Sequence, residues 1–145
     1  MTNYDANNIF AKILRGELPA YKVHEDDKTF AFLDIMPRAP GHTLVIPKVP
    51  ARNILDIAAH DLSELIKRVQ TIGRAAVKAF AADGLTVQQF NEPAGGQVVF
   101  HLHFHVLPRS EGVTLGPPAS KVEKPEVLAA SAEKIRKAMA ALEAP

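Results

Sequence analysis

Three histidines spaced by two residues stand out, because imidazole can act as a nucleophile or as an acid near neutral pH. They are His101, His103 and His105, and the residues between and after them are Leu102, Phe104 and Val106. Successive side chains of a β-strand point to opposite faces, so one strand would carry an imidazole face and a hydrocarbon face. The spacing predicts that the hydrocarbon face packs into a core and that the imidazoles line a cleft.

Two kinds of chemistry could use such a face: metal binding and catalysis by imidazole. Neighbouring histidines on a strand lie about 6.5 Å apart and the outer two about 13 Å apart, whereas zinc binds nitrogen at about 2.0 to 2.1 Å. A metal would therefore need ligands from elsewhere, and the chain has no cysteine. The nearest acidic residues, Glu92 and Glu111, fall in predicted loops. We therefore predict no metal and no cofactor.

Catalysis fits the cluster better, because adjacent imidazoles oppose one another's protonation. One histidine can then remain a neutral nucleophile while a neighbour carries the proton that a leaving group needs.

The elements that position these histidines follow from hydrophobic periodicity, which predicts an α+β fold with an antiparallel sheet. We predict strands over residues 21–25, 29–33, 42–46 and 85–90, followed by the histidine strand itself. An apolar stripe predicts a long helix over residues 60–82 that covers one face of the sheet. A short N-terminal helix over residues 8–16 and a C-terminal helix from Pro125 complete the predicted set.

Composition bounds the class of protein. The chain has 145 residues, 47% of them hydrophobic, which is enough for one domain with a core. Its 17 basic and 16 acidic residues give a net charge of +1 without blocks of like charge, so we expect neither nucleic acid nor a membrane as a partner. The first residues resemble no secretory signal, and no apolar run approaches membrane length. We expect a cytoplasmic location.

A change of composition follows Arg109, because residues 110–124 contain two glycines and two prolines. We predict a domain over residues 1–109 and an extension over residues 110–145. This extension, a loop and a helix, would pack on the same domain or on a second copy.

The stretch 100–107 resembles the signature of the histidine triad family, whose members hydrolyse or transfer nucleoside monophosphates. Stretches 32–48 and 91–97 are similar to the same family, in the expected order, and the likeness covers roughly residues 7–109. The resemblance implies a HIT-like, about five-stranded antiparallel sheet, and a homodimer formed across it. It also implies a purine nucleotide substrate, a conjugate of AMP or GMP.

The resemblance further implies a nucleophile, which we assign to the central histidine, His103. It would attack the α-phosphorus and form a covalent nucleotidyl-histidine that water then cleaves. We assign protonation of the leaving group to His105, while His101 and His42 complete the imidazole network.

Nucleotide contacts are implied in three groups. The carboxylate of Asp34 would accept the ribose hydroxyls, while backbone amides near Gly96 and the Gln97 amide would stabilise charge on the phosphoryl oxygens. The remaining contacts implied for the nucleotide are Ile9, Phe10, Ile13, Phe32, Ile35, Leu44, Asn91 and Val98.

The chain departs from the family pattern at two places. Many relatives place a serine or threonine where Val98 stands, so a hydroxyl near the phosphate is missing. Some bacterial relatives hold a structural zinc through a Cys-x-x-Cys and a histidine, where this chain has Asn8, Ala11 and Pro50. We expect that zinc site to be absent.

The leaving group is the open question. Since Val98 has no hydroxyl and Arg109 is the only cation near the histidines in sequence, we expect faster cleavage of adenosine phosphoramidate than of diadenosine polyphosphates. Lys121 or Lys124 of the extension could supply the missing charge. The alternatives are a dinucleoside polyphosphate hydrolase, or a nucleotide-binding or scaffolding domain with negligible turnover.

Overall fold

The computed structural model describes residues 3–143 as a five-stranded sheet and three α-helices. The strands are β1 (Lys22–Glu25), β2 (Thr29–Leu33), β3 (Thr43–Pro47), β4 (Gly84–Gln88) and β5 (Phe104–Arg109). Their order across the sheet is β1-β2-β3-β5-β4, and every neighbouring pair is antiparallel. The predicted α+β fold with an antiparallel sheet is confirmed.

The helices are α1 (Ile9–Leu14), α2 (Ala59–Ala79) and α3 (Pro125–Glu143). The side chain of Asn8 caps α1 by accepting a hydrogen bond from the Ala11 amide at 2.9 Å. Within residues 3–143, no helix combines the length and the apolar character needed to cross a membrane.

One face of the sheet is covered by α2 and α3. The apolar stripe of α2, including Leu65, Val69 and Ile72, packs against sheet residues such as Val45 and Val106. The same cluster contains residues of α3, among them Leu128, Ala132, Ile135 and Met139. The C-terminal helix therefore shares the main core, and α2 covers one face of the sheet as predicted.

The opposite face is covered by α1 and is smaller. Its buried cluster comprises Phe10, Phe30, Phe32, Leu44 and Ile46. Strand register aligns Phe32, Leu44, His105 and Gln88 as successive cross-strand partners. Directly opposed residues share a face, so this row carries His105 onto the face that α1 covers.

The histidine strand is shorter than predicted, because β5 begins at Phe104 and not at residue 100. The chain before it forms hydrogen bonds with the segment after β3: the Leu102 amide donates to the Ala51 carbonyl at 2.8 Å. The alternation of faces nevertheless persists, because Leu102, Phe104 and Val106 all lie in the cluster beneath α2.

Candidate active site

The predicted histidines meet on the face that α1 covers. The ring of His103 lies between Phe10 and His105, with centroid distances of 4.9 Å and 5.0 Å. The His105 ring in turn lies 5.2 Å from His42 and 5.6 Å from Phe90. The structure thus brings His103, His105 and His42 into one imidazole cluster.

The tautomer of His103 is set by the backbone. Its Nδ1 lies 2.7 Å from the carbonyl oxygen of His101, an acceptor only, so Nδ1 carries the hydrogen in the neutral ring. The lone pair is then on Nε2. A neutral imidazole with a free Nε2 lone pair is the form that can attack an electrophile.

His101 is fully buried and does not line a cleft, which corrects the prediction that all three imidazoles do so. Its Nε2 donates to the Pro47 carbonyl at 2.8 Å, and its Nδ1 accepts from the Tyr4 hydroxyl at 2.6 Å. Both ring nitrogens are therefore occupied. The backbone carbonyl of His101, and not its ring, contacts the nucleophile.

The tautomer of His105 is set by two successive hydrogen bonds that begin at the Arg38 backbone. The backbone amide of Arg38 donates to Nδ1 of His42 at 3.1 Å, so the hydrogen of the neutral His42 ring sits on Nε2. That Nε2 lies 2.9 Å from Nδ1 of His105 and donates to it. The hydrogen of His105 is therefore on Nε2.

The turn that supplies the Arg38 amide packs closely against the end of α2. Gly41 has a φ of 83°, and a Cβ there would lie 2.5 Å from the Phe80 ring. This position requires glycine, because a side chain would be strained and would displace the turn.

Burial keeps the imidazoles neutral. Desolvation is the main cause that lowers the pKa of His42 to about 4, of His101 to about 4 and of His105 to about 3, and it also lowers the pKa of His103. This differs from the expected division between a neutral nucleophile and a protonated neighbour. Without substrate, His105 offers an N–H hydrogen bond and not a full positive charge.

Asp34 lies at the same cluster. One of its oxygens accepts from the Met36 amide at 2.9 Å, and the other lies 3.6 Å from Nε2 of His42. Burial raises the pKa of the Asp34 carboxyl, and the Met36 hydrogen bond opposes that change.

These residues could suggest a metal site, since ligand atoms of Asp34, His42 and His105 lie within 4.8 Å of one another. A metal would need the lone pair of His42 Nε2, yet that nitrogen carries a hydrogen while Arg38 donates to Nδ1. The same argument applies to His105, whose Nδ1 accepts from His42. The arrangement suits a hydrogen-bond relay better than a metal.

Several of the residues implied for the nucleoside form an apolar wall. Phe10, Phe32 and Leu44 are buried together, and Ile13 packs against them. Ile9 and Ile35 are about half exposed. Both side chains therefore remain accessible for contact with a ligand.

The loop before β5 uses the amides that were predicted to contact phosphoryl oxygens for its own hydrogen bonds. The amides of Gly95 and Gln97 donate to the Glu92 carbonyl, and the amide of Gly96 donates to Pro93. The Gln97 side chain donates to the carbonyls of Arg52 and Val99. These N–H groups stabilise the loop, so they are not free to bind a phosphoryl oxygen as expected.

A network that sequence reasoning missed holds this loop. Arg52 binds Glu92 with two hydrogen bonds of 2.7 Å and 2.9 Å, and Asn53 donates to both Glu92 and Gln97. Asn91 belongs to the same region, since its side-chain oxygen accepts from the Ile54 amide. Val98 is 82% exposed at the end of the loop.

Arg109 is the only cation near the histidines in sequence, but the fold brings Arg38 close to them as well. Its guanidinium donates to the Gln88 side chain at 3.2 Å, and Gln88 is the cross-strand partner of His105. Its charge contributes to the low pKa of both His42 and His105. Sequence spacing could not show this, because Arg38 lies in the turn between β2 and β3 and reaches the site through Gln88 and His42.

Fold and site together define a cluster of buried imidazoles on an antiparallel sheet, and the comparisons with known proteins agree with the family resemblance. The HIT domain family matches residues 15–112. The chain therefore belongs to the HIT family.

Relatives support the same assignment. A structure of a HIT-like protein involved in cell-cycle regulation from Bartonella henselae has 54% identity and a TM-score of 0.88, covering 94% of this chain and 99% of that one. The adenosine 5'-monophosphoramidase of Saccharomyces cerevisiae is 36% identical over 122 residues, 82% of this chain and 75% of the relative. An adenylylsulfatase of Arabidopsis thaliana is 38% identical over 103 residues, 71% of this chain and 52% of the relative.

Proposed function

We propose that this protein hydrolyses a nucleoside phosphoramidate or a related nucleotide conjugate at its α-phosphorus. The observation that carries the proposal is the hydrogen bond of 2.7 Å from His103 Nδ1 to the His101 carbonyl, which leaves Nε2 of His103 as a free nucleophile. Two relatives named for an activity, a monophosphoramidase and an adenylylsulfatase, support this class of substrate.

In the proposed reaction, Nε2 of His103 bonds to the α-phosphorus while the bond from phosphorus to the leaving group breaks. An amine leaving group takes up one proton that enters from water, while His105 donates a hydrogen bond from Nε2 to the departing atom. The His105 ring is held for this by the hydrogen bonds that run from Arg38 through His42. Water then attacks the nucleotidyl-histidine, breaks the P–N bond and releases the nucleoside monophosphate. The apolar wall of Phe10, Phe32 and Leu44 would hold the purine.

Mass spectrometry after rapid quenching tests the intermediate. Incubation with adenosine phosphoramidate should attach one adenylate to His103, and the His103→Ala variant should carry none. Turnover without any adenylated protein, or adenylate on another residue, would reject the covalent route. Binding without turnover would instead indicate a nucleotide-binding domain.

The proposal includes a homodimer. β4 lies at an edge of the sheet, and the exposed Leu85 and Val87 on it lie on the α2 face. A second copy pairing there would cover them, because an edge strand offers unpaired backbone groups. Light scattering of the full chain should give twice the monomer mass, and a monomer would reject the proposed homodimer.

The cytoplasmic location stays a prediction.

A further inference from the structure

Arg38 is a cation close enough to the imidazole cluster to affect His42 and His105, and its guanidinium is held from two directions. Nε donates to the Gly116 carbonyl at 2.9 Å, and Nη1 donates to Gln88 at 3.2 Å. The Gly116 amide also donates to the Arg38 carbonyl at 2.8 Å. The extension thus fixes both the backbone and the side chain of Arg38.

The charge of Arg38 is not neutralised by a neighbouring carboxylate. Within residues 3–143, no acidic side chain forms an ion pair with it. Its two side-chain hydrogen bonds, to a carbonyl and an amide oxygen, use two of the five N–H groups of a guanidinium. A half-buried guanidinium with neutral partners retains the capacity to bind an oxyanion.

The position of Arg38 relative to the base pocket suggests which part of a substrate it meets. Along the cross-strand row, Phe32 and Leu44 lie on one side of His105, and Gln88 lies on the other. The apolar side suits the purine. The side of Gln88, where Arg38 lies, is then left for the group that departs from the phosphorus.

We propose that Arg38 is a specificity-determining residue: it binds the leaving group and favours nucleotide conjugates whose leaving group is an oxyanion, with adenylyl sulfate as the case tested. The inference rests on the proposed function, because it names the leaving group of the same reaction. It also replaces the expectation that a shortage of cations favours an amine.

The chemistry of an oxyanion leaving group matches the neutral imidazoles. With adenylyl sulfate, Nε2 of His103 bonds to phosphorus, the P–O bond to sulfate breaks, and sulfate leaves with the bonding electrons. No proton is needed for this step, so the lowered pKa of His105 is no obstacle. Water then adds to phosphorus, the P–N bond breaks, and one proton is released as AMP forms.

The test compares two adenylates that differ in the charge of the leaving group: adenylyl sulfate and adenosine phosphoramidate. The kcat/KM of each is measured for the full chain and for Arg38→Gln, Arg38→Lys and Arg109→Gln. Arg109 is the matched control, because it lies on β5 and donates to the Thr86 hydroxyl at 3.0 Å.

For Arg38→Gln, we expect the ratio of kcat/KM for adenylyl sulfate to that for phosphoramidate to fall about 10- to 100-fold, the loss of one charge-assisted hydrogen bond. Arg38→Lys should restore part of the ratio, and Arg109→Gln should leave it within about twofold. An unchanged ratio in Arg38→Gln, even with both rates reduced, would overturn the inference. A purely structural role of Arg38 would lower kcat/KM for both substrates alike.

Binding separates this inference from the proposed function. If the natural chain cleaves neither adenylate, the proposed function fails, and titration of adenylyl sulfate into His103→Ala and His103→Ala/Arg38→Gln then decides about Arg38. Weaker binding by about tenfold or more in the double variant supports the oxyanion contact. Equal binding overturns it.

Discussion

Opposite faces of the same sheet are buried by different kinds of residue. Beneath α2 and α3 the contacts are mostly apolar, and residues such as Ala31, Val45 and Val106 are completely buried. Beneath α1 the buried aromatics share the face with imidazoles, and each imidazole forms at least one hydrogen bond.

This difference separates stability from chemistry. Burial of apolar surface stabilises the fold without directional requirements, whereas a buried imidazole is tolerated only when its nitrogens find partners. On the α1 face, the hydrogen bonds that compensate for burying the polar rings also fix their tautomers. We expect substitutions beneath α2 to change the free energy of unfolding and substitutions beneath α1 to change the rate.

Replacement of His103 by alanine should have the largest effect. Removal of the nucleophile should lower kcat for adenosine phosphoramidate by about 1000-fold or more. Nucleotide binding should stay within about tenfold, because Asp34 and the apolar wall remain. Steady-state kinetics and calorimetric titration measure the two quantities, and retention of more than about a tenth of the rate would exclude His103 as nucleophile.

For Ile72→Ala, on α2, we expect a loss of stability with little change in kcat. Ile72 is fully buried in the main core, and truncation of a buried isoleucine typically costs about 2 to 5 kcal/mol. Urea unfolding measures that loss. At a temperature where the variant remains folded, kcat should stay within about twofold, and a large loss of kcat would show that the two faces are not independent.

Sequence alone predicted the apolar face well. The periodicity of α2 and the strand over residues 29–33 depend on local pattern, and both are confirmed. The alternation at 102, 104 and 106 also placed these side chains correctly in the core. Such features follow from spacing within one element.

The imidazole face was predicted less completely, because its contacts join segments distant in sequence. Tyr4 reaches His101, and Arg38 reaches Gln88. The Gly96 amide donates to the Pro93 carbonyl because the loop closes as a 3₁₀ turn over Pro93–Gly95. Residue types alone do not specify such pairings or the direction of a backbone N–H.

The pH dependence of stability should reveal the imidazole face. The pKa values of four buried histidines are lowered in the fold, so the unfolded chain takes up protons first when the pH falls below about 6.5. The stability that these neutral rings contribute is therefore fully present above about pH 6.5. As the pH falls toward 4, the free energy of unfolding decreases by up to about 1.4 kcal/mol per pH unit for each of His42, His101 and His105. In urea unfolding from pH 5 to 7, the slope of the free energy of unfolding against pH should be smaller in His105→Asn than in the natural chain. The difference should correspond to about one bound proton. Equal slopes would contradict this assignment.

The smallest expected effect concerns the Tyr4 hydroxyl, which reaches the nucleophile only through His101. In Tyr4→Phe, Nδ1 of His101 loses the hydrogen bond of 2.6 Å, and a buried acceptor without a partner costs about 1 to 3 kcal/mol. Tyr21→Phe is the matched control, because Tyr21 packs against the core beneath α2. Since the His101 carbonyl positions His103, Tyr4→Phe should also lower kcat, by about two- to tenfold, while Tyr21→Phe leaves it unchanged. If Tyr4→Phe lowers stability without changing kcat, His101 holds its carbonyl in place through the Pro47 contact alone. An equal loss of kcat in both variants would show that the rate follows global stability, and the distinction between the two faces would fail.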